Sequence, residues 1–252
     1  MPLRQILPAS PVNPTRALLA CDVFTTEIAK LRDETAATIG PVVWLEMGLH
    51  DHPDELRAAI QSALATLEEE PATETILLAY GLCGNGLLGV RAGRCQLVLP
   101  RAHDCISVFL GSPAAHEAVL KAEPGTYFYS PGWIRGRRVP GPDREAYLRA
   151  CYAPRYPDDP EVVDDLIEAD REIFAQHGCA AYVDLTNDSA AESYCHDCAR
   201  HLGWKYRRLP GDPTLLRDLL TGPWDAARFL VVPPGHAVAQ SPGGALRAAA
   251  TT

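Results

Sequence analysis

Residues 75–112, TILLAYGLCGNGLLGVRAGRCQLVLPRAHDCISVFLGS, decide how the rest of the chain is read. An apolar run at 76–79 breaks into the glycine-rich turn Gly81-Leu-Cys-Gly-Asn-Gly86, and a second run at 96–99 breaks into Pro100-Arg-Ala-His-Asp-Cys105. Short apolar runs closed by Gly or Pro, with helical spacing between them, read as parallel strands buried on both faces. Sheets of that kind bind ligands at the carboxyl ends of their strands. Cys83, His103, Asp104 and Cys105 fall there.

Outward from this stretch the same rhythm continues. Residues 16–23, RALLACDV, form the expected first strand, ending at Cys21-Asp22, and FTTEIAKLRDETA the first helix. Residues 41–47 give a second strand, the turn Gly48-Leu-His-Asp-His52 follows, and Pro53 opens a helix whose apolar stripe is Leu56, Ile60, Leu64 and Leu67. Beyond Asp104 a short helix leads to Ser112-Pro113, an N-cap and first helical position. Strands are expected at 125–129, 180–185, 205–209 and 228–232, with helices at 189–202 and 213–220, the former opened by a Ser189/Glu192 capping box. Prolines interrupt the helical stretch at 141–176, which reads as an insertion or lid beside the site. The expected architecture is therefore a doubly wound, mostly parallel α/β sheet, with two similar βα lobes as a variant. Residues 15–236 form a single domain, 1–14 an extended arm and 237–252 a disordered tail.

The strings YGLCGNG at 80–86, PRAHDCISVFLGS at 100–112 and GTYFYSPGW at 125–133 resemble a bacterial and archaeal family that carries only a domain-of-unknown-function label. Members of that family are often encoded near corrinoid-dependent methyltransferases and methylamine or betaine metabolism. The resemblance implies a fold and a metabolic neighbourhood, with corrinoid-methyltransferase components as partners. It does not name a reaction.

Composition narrows the partners. A net charge of −9 with no Lys/Arg stripe argues against nucleic acid and anionic membrane, leaving a small molecule or another protein. No apolar run approaches the roughly 18 residues of a membrane span, and the start lacks the apolar core of a signal peptide, so a cytoplasmic location is expected. Eight cysteines in such a chain read as thiols, ligands or core residues rather than a disulfide framework.

Four successive strands then deliver soft or borderline ligands to one sheet edge: Cys21, His50, Cys83, and His103 with Cys105. Cys21, Cys83, His103 and Cys105 lead as metal ligands, with His50 as alternate. Zinc is the expected metal, and iron–sulfur or another metal would also take such donors. Buried cysteine packing is the plain alternative. Asp104 reads as a general acid/base, as the partner of a ligating His, or as a helix N-cap. Arg101 reads as an anchor for the anionic end of a substrate, or as the partner of Asp104. Gly84, Asn85 and Gly86 supply backbone donors, and Tyr80, Tyr127 and Trp133 an aromatic wall, for substrate binding. Gly84 to Gly89 also satisfies G-x-G-x-x-G, but the inserted Gly81-Leu-Cys83 makes a dinucleotide site the weaker reading. Cys195 and Cys198 form a lone C-x-x-C well inside a helix and read as a variable face or labile extra site.

These features together predict a metal-dependent enzyme acting on a small molecule, by methyl or thiol transfer or by a lyase step. The rival is a non-catalytic accessory protein that handles a metal or corrinoid for methyltransferases.

Overall fold

The computed structural model describes residues 3–7 and 15–251. The chain divides into two compact units: residues 1–116 with 211–252, and residues 117–210. The residues expected as a single domain, 15–236, take in parts of both units.

In the first unit, β2 (Arg16–Cys21), β3 (Val42–Leu45), β4 (Thr75–Ala79) and β5 (Gln96–Pro100) run parallel. They form the centre of a six-stranded sheet whose edges are the antiparallel strands β1 (Leu3–Leu7) and β9 (Phe229–Val232). The order is β1-β3-β2-β4-β5-β9. Every residue of β3 and β4 is buried, as strands covered by helices on both faces require. The fold is mixed α/β with a mostly parallel sheet, consistent with the doubly wound class. Part of the expected N-terminal arm is thus an edge strand, and the remainder of that arm lies outside the described residues.

Local chemistry explains the flanking helices. α1 (Thr25–Thr35) buries Ile28 and Leu31, and α2 (Pro53–Glu68) starts with Pro at its first position and buries Leu56, Ile60, Leu64 and Leu67, the stripe read from the sequence. α3 (Cys105–Phe109) is capped by Asp104, whose side chain accepts the Ser107 N–H. α9 (Thr214–Thr221) buries four leucines in two turns. The tail expected to lack structure instead forms a hairpin of β10 (His236–Gln240) and β11 (Leu246–Ala250). Gly89 and Ala92 donate to Val238 and His236, which ties the hairpin to a loop far away in the sequence. That distant pairing is what a reading of low complexity misses.

The second unit holds three parallel strands in the order β6 (Thr126–Tyr129), β7 (Cys179–Asp184), β8 (Lys205–Pro210). α5 (Pro131–Arg135), α6 (Arg144–Tyr152), α7 (Pro160–Phe174) and α8 (Ser189–Leu202) belong to it. The division between units falls within α4 (Pro113–Ala122), whose preceding Ser112 caps it as expected. Residues 141–176, expected as a lid, are α6 and α7, which share a small core of Leu148, Val163 and Ile167. The α8 cap is Asp188, which accepts the Ala191 N–H at 3.0 Å, not Ser189. Glu192, the other half of the expected box, accepts from the Tyr206 hydroxyl instead.

Candidate thiol site

The parallel strands run in the order β3-β2-β4-β5, so the order reverses between β2 and β4. Open α/β sheets bind ligands outside the carboxyl ends of their strands at such a reversal. Cys21 is the last residue of β2, and the turn carrying Cys83 follows β4.

Beyond the strand ends the β4 and β5 connections continue side by side. Leu82 donates to the Ala102 carbonyl at 2.8 Å and Cys83 to that of His103 at 2.9 Å. A Cβ at Gly81 would lie 2.4 Å from the Asp104 carbonyl carbon, so only glycine allows this approach. Cys83 (φ 45°), Gly84 (φ 62°) and Asn85 (φ 71°) then run left-handed in succession. A cysteine held there carries backbone strain, of the kind found where a side chain must be aimed.

The result is a group of three buried thiols. The sulfurs of Cys83 and Cys105 are 3.7 Å apart, and Cys105 also interacts with the thiol of Cys21. All three residues are at most 9% exposed. Hydrogen bonding from the Cys105 thiol, opposed by burial and helped by the Val23 backbone, holds the Cys21 thiol below the ordinary range. The same bonds to Cys21 and Cys83, together with burial, push Cys105 well up. Tyr80, the residue just past β4, adjoins the group. Its hydroxyl is buried and approaches Cys21 without a hydrogen bond of full geometry among the described residues, and burial and the adjoining thiols hold the phenol protonated.

The other expected site residues lie elsewhere. His103 is exposed and, with Leu82, Arg101 and Gly244, lines a separate cavity of about 200 Å³ beside the C-terminal hairpin. The chain alternates there: Ala102 and Cys105 are buried and His103 points outward. His50 is exposed with its Nε2 3.3 Å from Asp51, although its carbonyl lies near Gly84. The His103 ring, exposed in that cavity, stands apart from the thiols. Arg101 donates to the carbonyls of Ala226 and Phe229 at 2.8 and 3.2 Å and to that of Leu246, so it anchors the C-terminal segment rather than a substrate or Asp104. Asp104 is the N-cap of α3 and accepts from both Ser107 donors, and its second oxygen lies 3.3 Å from Nδ1 of His116. Burial raises its pKa, but the His116 and Ser107 bonds outweigh that and hold it below the usual carboxylate range. It faces His116, not His103. Sequence reasoning missed His116, whose only signal was an imidazole on the helix that follows the capped one.

Gly84 and Asn85 are exposed, while Gly86 is buried where a Cβ would lie 2.5 Å from Leu56, which makes it a helix-packing glycine. Tyr127 and Trp133 belong to the core of the second unit. Tyr127 donates to the Arg138 carbonyl and packs edge-on against Tyr129 and Phe174. Cys195 and Cys198 are also there, fully buried on the core face of α8, so the variable-face reading gives way to packing. Among the described residues no three His, Cys, Asp or Glu side chains stand ready-made as a metal-holding set.

The family description "protein of unknown function (DUF1638)" matches residues 44–220, well over half of the chain. The chain belongs to this family. The match takes in the turns of Cys83 and Cys105 and leaves Cys21 on the strand before it, so two of the three thiols lie within the family segment. No curated protein and no solved structure matches the chain. Among the described residues no helix is long and apolar enough to cross a membrane.

Proposed function

We propose that this member of the DUF1638 family binds one zinc ion on the thiolates of Cys21, Cys83 and Cys105 and acts on a small molecule at the remaining coordination position. The observation that carries this reading is the convergence of three cysteines from three strands on the point where the strand order reverses. Two sulfurs bound to one zinc through tetrahedral bonds of about 2.3 Å stand about 3.8 Å apart. Cys83 and Cys105 stand at 3.7 Å. In a four-iron cluster each thiolate binds its own iron and the sulfurs are spread wider, which favours a single ion here.

The Cys105 thiol bonds both Cys21 and Cys83, and these three would hold the metal as thiolates, so its affinity would depend on pH. A zinc ion with three protein ligands keeps a position for a substrate donor, and when bound it would lower the pKa of a thiol or water held there. The chain's own groups do the rest. Gly81 sets the Cys83 and Cys105 turns at their separation, and the buried Tyr80 hydroxyl beside the three thiols would be a donor to a substrate atom held there. The exposed backbone of Gly84 and Asn85 offers donors to an anionic end of the substrate, in place of Arg101. This chemistry suits transfer of a methyl or thiol group, or a lyase step. Free thiols throughout the described cysteines go with a reducing compartment, the cytoplasm.

The burial of all three sulfurs favours a second reading, in which the metal is held for a corrinoid-methyltransferase partner without turnover. One experiment bears on both. Protein purified without chelator is expected to carry about one zinc per chain by elemental analysis, and Cys83→Ser and Cys105→Ser to lose it, while Cys195→Ser/Cys198→Ser keeps it. Metal-free wild type that takes up no added zinc defeats both readings. A cobalt-substituted protein whose spectrum does not respond to small thiols points to the non-catalytic one.

A further inference from the structure

The second unit contains a cavity of about 210 Å³, lined by Ile134, Arg137, Val139, Asp143, Tyr147 and Tyr194 among others. Its most unusual wall is Arg137. This residue is held left-handed (φ 52°), a conformation that costs an L-residue energy unless the surroundings impose it. Arg144 imposes it. Its guanidinium is locked by Asp170 through bonds of 2.5 and 2.6 Å, lies over the Phe174 ring and donates Nη1 to the Arg137 carbonyl at 3.2 Å. The Arg137 side chain is in turn laid over the Tyr147 ring, its guanidinium carbon 5.6 Å from the ring centre. Backbone and side chain are therefore both positioned, yet among the described residues this guanidinium has no carboxylate and no hydrogen-bond acceptor.

Arg137 is exposed, and a guanidinium laid over a ring at a cavity wall with its donors open to solvent is a fork for a planar oxyanion. The rest of the wall limits which one. Asp143 lines the same cavity, with its carboxylate held by the Tyr194 hydroxyl at 3.3 Å, so a second negative charge on the ligand would meet a fixed like charge. Ile134, Val139 and the two tyrosine rings provide apolar surface for the remainder of the ligand. We infer that this cavity binds a small monocarboxylic acid, its carboxylate on Arg137 and its apolar body against Tyr147 and Tyr194, and excludes phosphate.

Isothermal titration of the full-length protein with butyrate tests this, with inorganic phosphate as the second probe. One saturable butyrate site per chain is expected, with phosphate weaker. Arg137→Gly removes the fork while keeping a residue at ease in left-handed backbone, so it should fold as well as wild type and bind butyrate about tenfold more weakly or worse. Arg155→Ala, an exposed charge change in the same unit, should leave binding unchanged. Asp143→Asn should narrow the preference for butyrate over phosphate. Absence of saturable butyrate binding, equal binding by Arg137→Gly, or phosphate binding more tightly than butyrate to wild type would overturn the assignment.

Discussion

Gly81→Ala places a methyl group where the β4 and β5 connections touch. The new Cβ would lie 2.4, 2.5 and 2.6 Å from the carbonyl carbon, Cα and oxygen of Asp104, all backbone atoms that cannot swing aside. Restoring a normal separation of about 3.5 Å means moving the two turns apart by about 1 Å. That motion breaks the bonds from Leu82 to Ala102 and from Cys83 to His103, at about 1 kcal/mol each, and adds about 1–3 kcal/mol of overpacking strain. The expected loss is about 3–5 kcal/mol in urea unfolding of the metal-free protein. Because Cys83 and Cys105 sit one on each turn, their 3.7 Å separation opens as well, and zinc affinity should fall further than stability alone explains. Gly84→Ala is the control: its Cβ meets nothing closer than 3.5 Å, so only the left-handed backbone is penalised, at about 1–2 kcal/mol. A Gly81→Ala protein as stable as wild type, or one less stable than Gly84→Ala by no measurable margin, would refute the reasoning.

Arg101→Ala removes the donors that hold Ala226, Phe229 and Leu246, and should cost about 2–4 kcal/mol in urea unfolding while leaving the zinc content unchanged; loss of zinc without loss of stability would return Arg101 to the site. Burial pushes the Cys198 thiol from 9.0 up to about 11. A raised folded pKa means that the unfolded chain releases this proton first, so stability is full below about pH 9 and falls as pH rises towards 11, by about 2–3 kcal/mol for this group. Unfolding free energies of wild type should drop more steeply over that window than those of Cys198→Ala, and parallel curves would contradict the burial argument.

The apolar runs at 76–79 and 96–99 were legible as parallel strands because residues buried on both faces must be apolar without alternation. Once those strands are parallel, the residues just past their carboxyl ends share one edge, so chain order brings Cys21, Cys83 and Cys105 to the same end of the sheet, while the aim of each sulfur does not follow from it. The histidines did not follow. His103 is two residues from Cys105, but side-chain direction past a strand end is set by which carbonyl the neighbouring turn takes up, and the Cys83 bond to the His103 carbonyl leaves that ring outside. Tyr127 and Trp133 were misplaced for a similar reason: strand neighbours cannot be read from one strand's sequence, and β6 pairs with β7 in its own sheet. Arg101 acquired its role from residues more than 120 positions away, and the Ala-rich tail forms a hairpin of its own two strands that the loop at Gly89 and Ala92 ties down. What the sequence determined by itself was the periodic part, strands, helices and the edge they share, since burial on a regular element repeats locally. The direction of each turn side chain, the split into two units and the left-handed Cys83 depended on partners distant in the chain, and only the tertiary structure decided them.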